Sequence, residues 1–319
     1  METTGPKICI VGSGVVGQAT GKGLALKGLD VTFIDTDPQK VEYLRSGGYK
    51  AFLPSQLVDG QFNFDISFLT VPTPNVKGRI DLSFLESASQ NLGNWLRTLN
   101  KYHLVVVKST VPPGTTRNLV IKTIEKHSGK LTGRDFGVCM NPEYLREKSS
   151  LEDSLNPWLI VIGMLDEKSG EILAEVYKDF RCPLSFTSLE EAEIQKYVHN
   201  LFNALKITFY NEVRQVCNEL GLDADVVFPL VAISCEGMWN PGYGIKDFGP
   251  FDGMCLPKDT QAFLSWARDH KFKMPLLKTA IKINNTLTIL NQNAHRKVVV
   301  RYPSIHQQEN GHLMTRYAP

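Results

Sequence analysis

The most restrictive feature of the sequence is a glycine-rich turn between a short apolar run and a helical stretch. Residues 7–12 read Lys-Ile-Cys-Ile-Val-Gly and predict a buried strand, and the stretch up to about Lys27 has helical spacing. Between them lies Gly12-Ser13-Gly14-Val15-Val16-Gly17, a G-x-G-x-x-G pattern. A turn of this kind after a strand and before a helix is typical of a parallel sheet whose strands are joined by helices.

The same alternation of strand-like and helix-like segments continues through the first 187 residues. The pattern predicts strands at 30–35, 66–70, 103–108, 136–140, 159–163 and 184–187. It predicts helices from Pro38 onward, over 82–99 and over 167–180. The fold class expected from this alternation is α/β, with a Rossmann-type doubly wound parallel sheet.

The pattern changes after residue 188. Residues 189–220 contain neither Pro nor Gly and have apolar residues at helical spacing, which predicts one long helix of about 45–50 Å. Further helices are predicted at 223–232, 259–270 and 275–293, with a loop rich in Gly, Pro and aromatics over 239–256. We therefore expect a Rossmann domain over 1–187, a mostly α-helical domain with a long connecting helix over 188–295, and a tail over 296–319.

Composition excludes several classes of protein. The chain has 319 residues, which suits two domains, and its net charge of +2 gives no basic surplus for nucleic acid. No apolar run reaches membrane-spanning length, and the N-terminus does not read as a signal peptide. The six cysteines form no C-x-x-C pair, so we expect no metal site and a cytoplasmic location with reduced thiols. The long helix suggests a homodimer.

The glycine pattern predicts a dinucleotide site with a separate role for each glycine. Gly12 would permit the tight turn, Gly14 would let the backbone approach a pyrophosphate, and Gly17 would let the helix pack against the strand. The N–H groups at the start of the helix would face the phosphates. Asp35 ends the second predicted strand and would accept hydrogen bonds from a ribose diol while repelling a 2′-phosphate. The cofactor expected is therefore NAD and not NADP.

Four further segments carry a family resemblance. They are 108–115 (Lys-Ser-Thr-Val-Pro-Pro-Gly-Thr), 141–147 (Asn-Pro-Glu-Tyr-Leu-Arg-Glu), 193–200 with Lys196 and Asn200 one helical turn apart, and 253–260 (Gly-Met-Cys-Leu-Pro-Lys-Asp-Thr). In this order after the glycine turn, they resemble the UDP-glucose/GDP-mannose dehydrogenase family from about residue 7 to about residue 293. The segment around Cys255 is the most specific part of the resemblance.

The resemblance implies a four-electron oxidation of a nucleotide sugar, by default UDP-glucose, from primary alcohol to carboxylate. Cys255 would be the nucleophile that forms a thiohemiacetal and then a thioester. Lys196 and Asn200 would stabilise the oxyanion, and Asp259 and Thr110 would hold a water that acts first as base and later in hydrolysis.

The resemblance also assigns contacts around these groups. Glu143 would assist hydrolysis and contact the sugar together with Lys196, Asn200 and Gly253. Beyond the glycine turn and Asp35, the cofactor would be contacted by Lys40, Thr73, Thr110 and Glu147.

Three departures from the family pattern are visible. One glycine precedes Met254 where the family has a pair, and Pro157-Trp158-Leu159 stands where the family often has Pro-Asp-Arg. The tail over 296–319 does not resemble the family's usual C-terminal nucleotide-binding domain, so we expect that domain to be absent.

Two alternatives stay open at this point. One is a two-electron dehydrogenase of the β-hydroxyacid type, which shares this layout and a helix-borne lysine but needs no cysteine. The other is a catalytically inactive relative that binds NAD or a partner without turnover.

Overall fold

The computed structural model describes residues 5–57, 62–245 and 249–294. Residue contacts divide the chain into two compact units, residues 1–199 and 200–319. The division falls some way beyond the boundary expected from the sequence, inside a long helix.

The first unit is built on one eight-stranded sheet in the order β10-β9-β8-β7-β4-β1-β2-β3, with a separate two-stranded hairpin β5-β6. The strands are β1 Lys7–Val11, β2 Asp30–Ile34, β3 Lys50–Phe52, β4 Ile66–Leu69, β5 Asn75–Val76, β6 Arg79–Ile80, β7 His103–Val107, β8 Phe136–Met140, β9 Ile160–Met164 and β10 Leu184–Ser188. The α-helices are α1 Val15–Leu26, α2 Pro38–Ser46, α3 Ser83–Leu96, α4 Lys122–Ser128, α5 Ser150–Leu155, α6 Glu167–Val176 and the start of α7 Leu189–Glu219.

Both faces of the sheet are buried, which explains the nearly continuous apolar strands. On β1, Ile8 and Ile10 pack into one core with Phe33 and Phe68, whereas the alternate residues of the strand pack into the other core. Since successive strand residues point to opposite faces, an apolar run of this kind requires cover on both sides. The predicted doubly wound α/β fold is confirmed.

The last two strands correct the expectation of a wholly parallel sheet. The pairs from β3 through β8 are parallel, but β8 and β9 are antiparallel, and β9 and β10 run parallel to each other. The connection between β8 and β9 contains the six-residue α5. The chain re-enters the sheet from the edge at which β8 ended, so β9 runs antiparallel to β8.

Several short elements carry no periodic signal and are not predicted. These are β3, the β5-β6 hairpin, a π-helical stretch Thr116–Ile121 that continues into α4, and α5 with a 3₁₀ turn Glu147–Ser149 before it. All but the π-helical stretch and α4 are too short for apolar spacing to be recognised, and the hairpin turns through Lys77 at φ 51° and Gly78 at φ 82°. Sequence pattern detects the elements that span the sheet and misses those at its rim.

The second unit contains only helices among its described residues. After the remainder of α7 come α8 Ala224–Ser234, α9 Glu236–Trp239, α10 Leu256–Asp269 and α11 Pro275–Ala294. A small core forms around Val216, Ala267 and Met274. The helix predicted at 259–270 begins earlier, at Leu256, because Pro257 takes a first-turn position where no N–H is needed. In the described part of the chain, no helix combines the length and apolarity that crossing a membrane requires.

The sheet core makes a stability prediction. Phe33 is fully buried in the core of the first unit, whereas Phe186, on the edge strand β10, is 48% exposed. Phe33→Ala should lower the free energy of unfolding by about 3–5 kcal/mol, and Phe186→Ala by about 1 kcal/mol. Urea denaturation followed by circular dichroism measures both. Equal losses for the two variants would contradict this assignment of the core.

Candidate active site

A cleft lies at the carboxyl ends of the parallel strands in the first unit. It has a volume of about 570 Å³ and is lined by the loops that follow β1, β2, β4, β7 and β8. From β1 the chain proceeds to β2 and β3 on one side and then returns to β4 on the other. The cleft thus lies at the point where the strand order reverses, which is where ligands bind in open α/β sheets.

The glycines of the first turn shape the wall of this cleft. Gly12 has a φ of 97°, in the region that favours glycine. A Cβ on Gly17 would lie 2.0 Å from the Gly12 carbonyl oxygen, so this position tolerates no side chain. A Cβ on Gly14 would meet no atom within 4 Å, so the backbone there faces open space.

The N-terminus of α1 can bind an anion. The helix begins at Val15 and Val16 after Gly14, with no side-chain cap and no acidic residue in its first turn. Its first N–H groups therefore lack an intrahelical acceptor and point toward the cleft end of the helix. The same turn holds Ser13, whose buried hydroxyl has no hydrogen-bond partner among the described residues.

Asp35 follows β2 at the opposite side of the turn and is 8% exposed. One carboxylate oxygen accepts from the Ser13 N–H at 2.5 Å and the other from the Asp37 N–H at 2.9 Å. Lys40 also lines the cleft and lies 3.7 Å from the Asp37 carboxylate. These bonds fix a negative charge at the cleft, where it suits a ribose diol and opposes a further phosphate. The glycine turn, the open helix start and Asp35 together fit a dinucleotide.

The other side of the cleft is formed by the loops after β4 and β7. The Thr73 hydroxyl donates to the Thr110 carbonyl at 2.7 Å, and the Ser109 hydroxyl donates to the Val71 carbonyl at 2.6 Å. These bonds tie the two loops to each other and place Thr73 and Thr110 on the same wall.

A buried ion pair stands where the loop after β8 reaches the cleft. Lys196, on α7, is 5% exposed, and its ammonium lies 3.0 Å from a carboxylate oxygen of Glu143. The same ammonium donates to the Glu143 carbonyl oxygen and lies 5.4 Å from the centre of the Tyr144 ring. Glu143 itself lines the cleft. The structure therefore brings together two of the residues that the resemblance places at the reacting carbon.

Two buried polar residues at this edge were not singled out from the sequence. Lys108 follows β7, and its ammonium donates to the Asn141 side-chain oxygen at 2.8 Å. Burial lowers the pKa of Lys108 to about 8, partly opposed by the charge of Glu143. The sequence signal that could have identified Lys108 is its position at the end of an apolar strand. A lysine at such a position is ordinarily expected to be solvated, so the sequence did not predict its burial.

Glu193 is a third such residue. It is fully buried on α7 and accepts from the backbone N–H groups of Gly114 at 2.5 Å and Thr116 at 2.7 Å. Burial raises the pKa of this carboxyl, and the two N–H donors oppose that effect. Glu193 therefore ties α7, which carries Lys196, to the loop that follows Thr110.

The remaining predicted residues lie mostly in the second unit. Asn200 is exposed on α7 one turn after Lys196, and Gly253 has a φ of 88°. Cys255 is exposed at the N-terminal cap of α10, and Asp259, in the first turn, pairs with Lys258 at 2.6 Å. Their approach to Lys196 stays a prediction.

Two other expectations fall outside the described residues. The Glu147 backbone lies in the 3₁₀ turn, but its side chain is outside the described residues, as is the tail beyond residue 294. Among the residues that are described, no three His, Cys, Asp or Glu side chains form a metal-binding group.

Comparison with known families matches both units. The NAD-binding domain of the UDP-glucose/GDP-mannose dehydrogenase family matches residues 6–59 and 52–181, and the central domain of that family matches residues 190–286. The cofactor predicted from the sequence, NAD, is confirmed by the first of these matches.

Individual relatives agree with the family match. The chain is 32% identical to the GDP-mannose 6-dehydrogenase of Pseudomonas putida, over 92% of this chain and 72% of the relative. It is 33% identical to the UDP-glucose 6-dehydrogenase of Haloferax volcanii, over 88% of this chain and 69% of the relative. A crystal structure of GDP-mannose dehydrogenase from Pseudomonas aeruginosa superposes with a TM-score of 0.85 at 30% identity, over 91% of this chain and 71% of that one.

The glycine turn makes a prediction about cofactor binding. Gly17→Ala forces a Cβ against the Gly12 carbonyl, so it should destabilise the unit by about 1–3 kcal/mol and weaken NAD binding about tenfold or more. Gly14→Ala has open space and should keep stability within about 0.5 kcal/mol while still weakening NAD binding. Urea denaturation and titration calorimetry measure the two effects. Unchanged NAD affinity in both variants would contradict this placement of the pyrophosphate.

Proposed function

Because the chain belongs to the UDP-glucose/GDP-mannose dehydrogenase family, we propose that it oxidises the primary alcohol of a nucleotide sugar to a carboxylate in two NAD-dependent steps. The observation that carries the proposal is the buried Lys196–Glu143 pair beside a cleft that fits a dinucleotide. An ammonium withdrawn from solvent at this position suits an oxygen that becomes negative during the reaction. A lysine on a solvated helix face would have no such use.

The residues that would hold NAD are those of the cleft. Gly14 leaves room for the pyrophosphate at the start of α1, Gly12 and Gly17 allow the tight turn and the close approach of the helix, and Asp35 binds the adenosine ribose. When bound, NAD accepts a hydride from the sugar carbon in each of the two oxidations. The chain itself supplies position, charge and the groups that move protons.

The chemistry of the sugar requires a nucleophile between the two oxidations. The first oxidation converts the alcohol to an aldehyde and releases a proton. The thiolate of Cys255 adds to the aldehyde carbon, and the resulting thiohemiacetal, unlike the aldehyde, can lose a second hydride. That loss gives a thioester, which water cleaves to the carboxylate and the free thiol.

Named residues would serve these steps. Lys196 stabilises the oxyanion of the thiohemiacetal, and Asn200 donates a hydrogen bond to it. Asp259 and Thr110 hold the water that takes the alcohol proton and later attacks the thioester, with Glu143 assisting that attack.

The nucleotide sugar is the finer question. UDP-glucose is the default because it is the commonest substrate of the family, whereas relatives named for GDP-mannose and for UDP-glucose match this chain at nearly equal identity, 32% and 33%. The GDP-mannose dehydrogenase superposes with a TM-score of 0.85 and a UDP-glucose dehydrogenase from Pyrobaculum islandicum with 0.67, so both nucleotide sugars enter the test.

Turnover with a panel of nucleotide sugars tests the proposed reaction. GDP-mannose and UDP-glucose are each incubated with NAD and the full chain, and NADH absorbance is compared with the uronate formed. We expect about two NADH for each sugar consumed, because an alcohol loses two hydrides on becoming an acid. One NADH per molecule would support the β-hydroxyacid-type alternative, and NAD binding without any NADH would support an inactive relative.

The cysteine makes a separate prediction. Cys255→Ala should abolish acid formation, because without a thiol the aldehyde cannot become a hydride donor. Cys235→Ala is the matched control, since Cys235 is also exposed and belongs to the same unit. Its kcat should stay within about twofold of the unsubstituted chain. Acid formation by the Cys255→Ala variant would contradict the covalent route.

A further inference from the structure

Lys108 is a buried cation whose hydrogen bonds go to neutral oxygens. It follows the apolar strand β7, is 8% exposed, and donates to the side-chain oxygen of Asn141 at 2.8 Å and to the Asn141 carbonyl at 3.4 Å. None of the ion pairs found among the described residues includes it. Burying a lysine in this setting carries a large desolvation penalty, so its presence at the cleft calls for a function.

Asn141 is held from three directions. Its side-chain oxygen accepts from Lys108 and also from the Tyr177 hydroxyl at 2.6 Å, while its side-chain nitrogen donates to the Val161 carbonyl at 2.7 Å. The residue is 1% exposed. All three side-chain bonds fix the first residue after β8, two positions before Glu143.

Glu143 uses its backbone as well as its side chain to hold Lys196. The Lys196 ammonium donates to the Glu143 carbonyl and lies 3.0 Å from one carboxylate oxygen, and the other oxygen accepts from the Leu145 N–H at 2.6 Å. A shift of the backbone at residues 141–143 would therefore move the Lys196 ammonium.

Lys108 also stands between two cavities. It lines the cofactor cleft and, with Glu143 and Asn141, a smaller cavity of about 50 Å³ behind it. A cavity of that size has room for a water, which would give the ammonium a further partner.

We propose that Lys108 is a positioning residue of the reaction proposed above: through Asn141 its ammonium fixes the backbone of residues 141–143, and so the place of the Lys196 ammonium. The inference rests on the proposed function. It concerns Lys108 in its charged form, because a charged donor holds an amide oxygen more strongly than a neutral amine does.

Burial and the charges around Lys108 set the pH at which its ammonium loses a proton and its hydrogen bond to Asn141 weakens. Burial lowers its pKa to about 8; Glu143, after β8, raises it, and Lys196, on α7, lowers it. The hydroxyl of Tyr177 faces the same amide, and burial raises its pKa, so it stays a neutral donor. The hydrogen bond from the charged Lys108 ammonium to Asn141 is therefore present below about pH 8 and weakens as the pH rises through that value.

Three substitutions test this role on the full chain with NAD and its nucleotide sugar. Lys108→Met should lower kcat about tenfold or more. In the unsubstituted chain kcat should fall above about pH 8, and this alkaline limb of the pH–rate profile should be absent in Lys108→Met. Asn141→Asp places a carboxylate against the ammonium, so it should move that limb upward by about one pH unit or more. Lys101→Met is the control, because Lys101 lies just before the other end of β7 and pairs with Asp65.

A purely structural role predicts different results. If Asn141→Asp leaves the alkaline limb in place, or if Lys108→Met keeps both kcat and its pH profile, the proposal is wrong. Thermal unfolding of each variant shows whether it is folded. If a variant fails to fold, Tyr177→Phe takes its place. This substitution removes one hydrogen bond to Asn141 and should shift the alkaline limb by less than Asn141→Asp does.

A measurement without turnover separates this inference from the proposed function. With ¹³C-labelled lysine, the Lys108 Cε signal is the one missing in Lys108→Met, and it should titrate near pH 8. The Lys196 signal, identified in the same way, should move in Lys108→Met and stay in Lys101→Met. If the unsubstituted chain oxidises no sugar, the proposed function fails; if the Lys196 signal does not move, the positioning role fails.

Discussion

The close approach of α1 to the end of β1 determines what else can lie at this edge of the sheet. A Cβ on Gly17 would lie 2.0 Å from the Gly12 carbonyl, and a Cβ on Gly12 would lie 3.0 Å from the backbone of Thr70. Three chain segments therefore meet here, and the Thr70 hydroxyl, which donates to the Gly12 carbonyl at 2.6 Å, fills the space that a side chain on Gly17 would need. Because the helix starts so near the sheet, its first N–H groups open into the cleft, and Asp35 can bond to the same turn.

The edge next to that turn contains an unusual number of buried charges. Lys108, Glu193 and Lys196 are each no more than 8% exposed, and Glu143 joins them. Removing these groups from water costs free energy that a structural role seldom offsets. Their bonds run between loops and α7, so the same contacts that compensate the burial also fix the geometry of the candidate site.

The catalytic proposal distributes its groups over both units. The first unit supplies the NAD cleft and the Lys196–Glu143 pair, and the second carries Cys255 at the start of α10, exposed at the N-terminal cap. Family membership and the cofactor follow from the matches to the two family domains, whereas the roles of individual residues are proposed.

The sequence by itself determined the α/β alternation, the glycine turn, the long helix and the family, because these depend on spacing within one stretch of chain. Period and turn chemistry are local properties, so the close approach of the helix at Gly17 and the place of Asp35 after β2 could be predicted from their positions in the chain alone. Tertiary structure alone decided the reversal of β9 and β10 and the partners of Lys108 and Glu193. Those features depend on contacts between residues far apart in the chain, such as Glu193 with Gly114, and no local pattern records which distant backbone group a buried charge will meet.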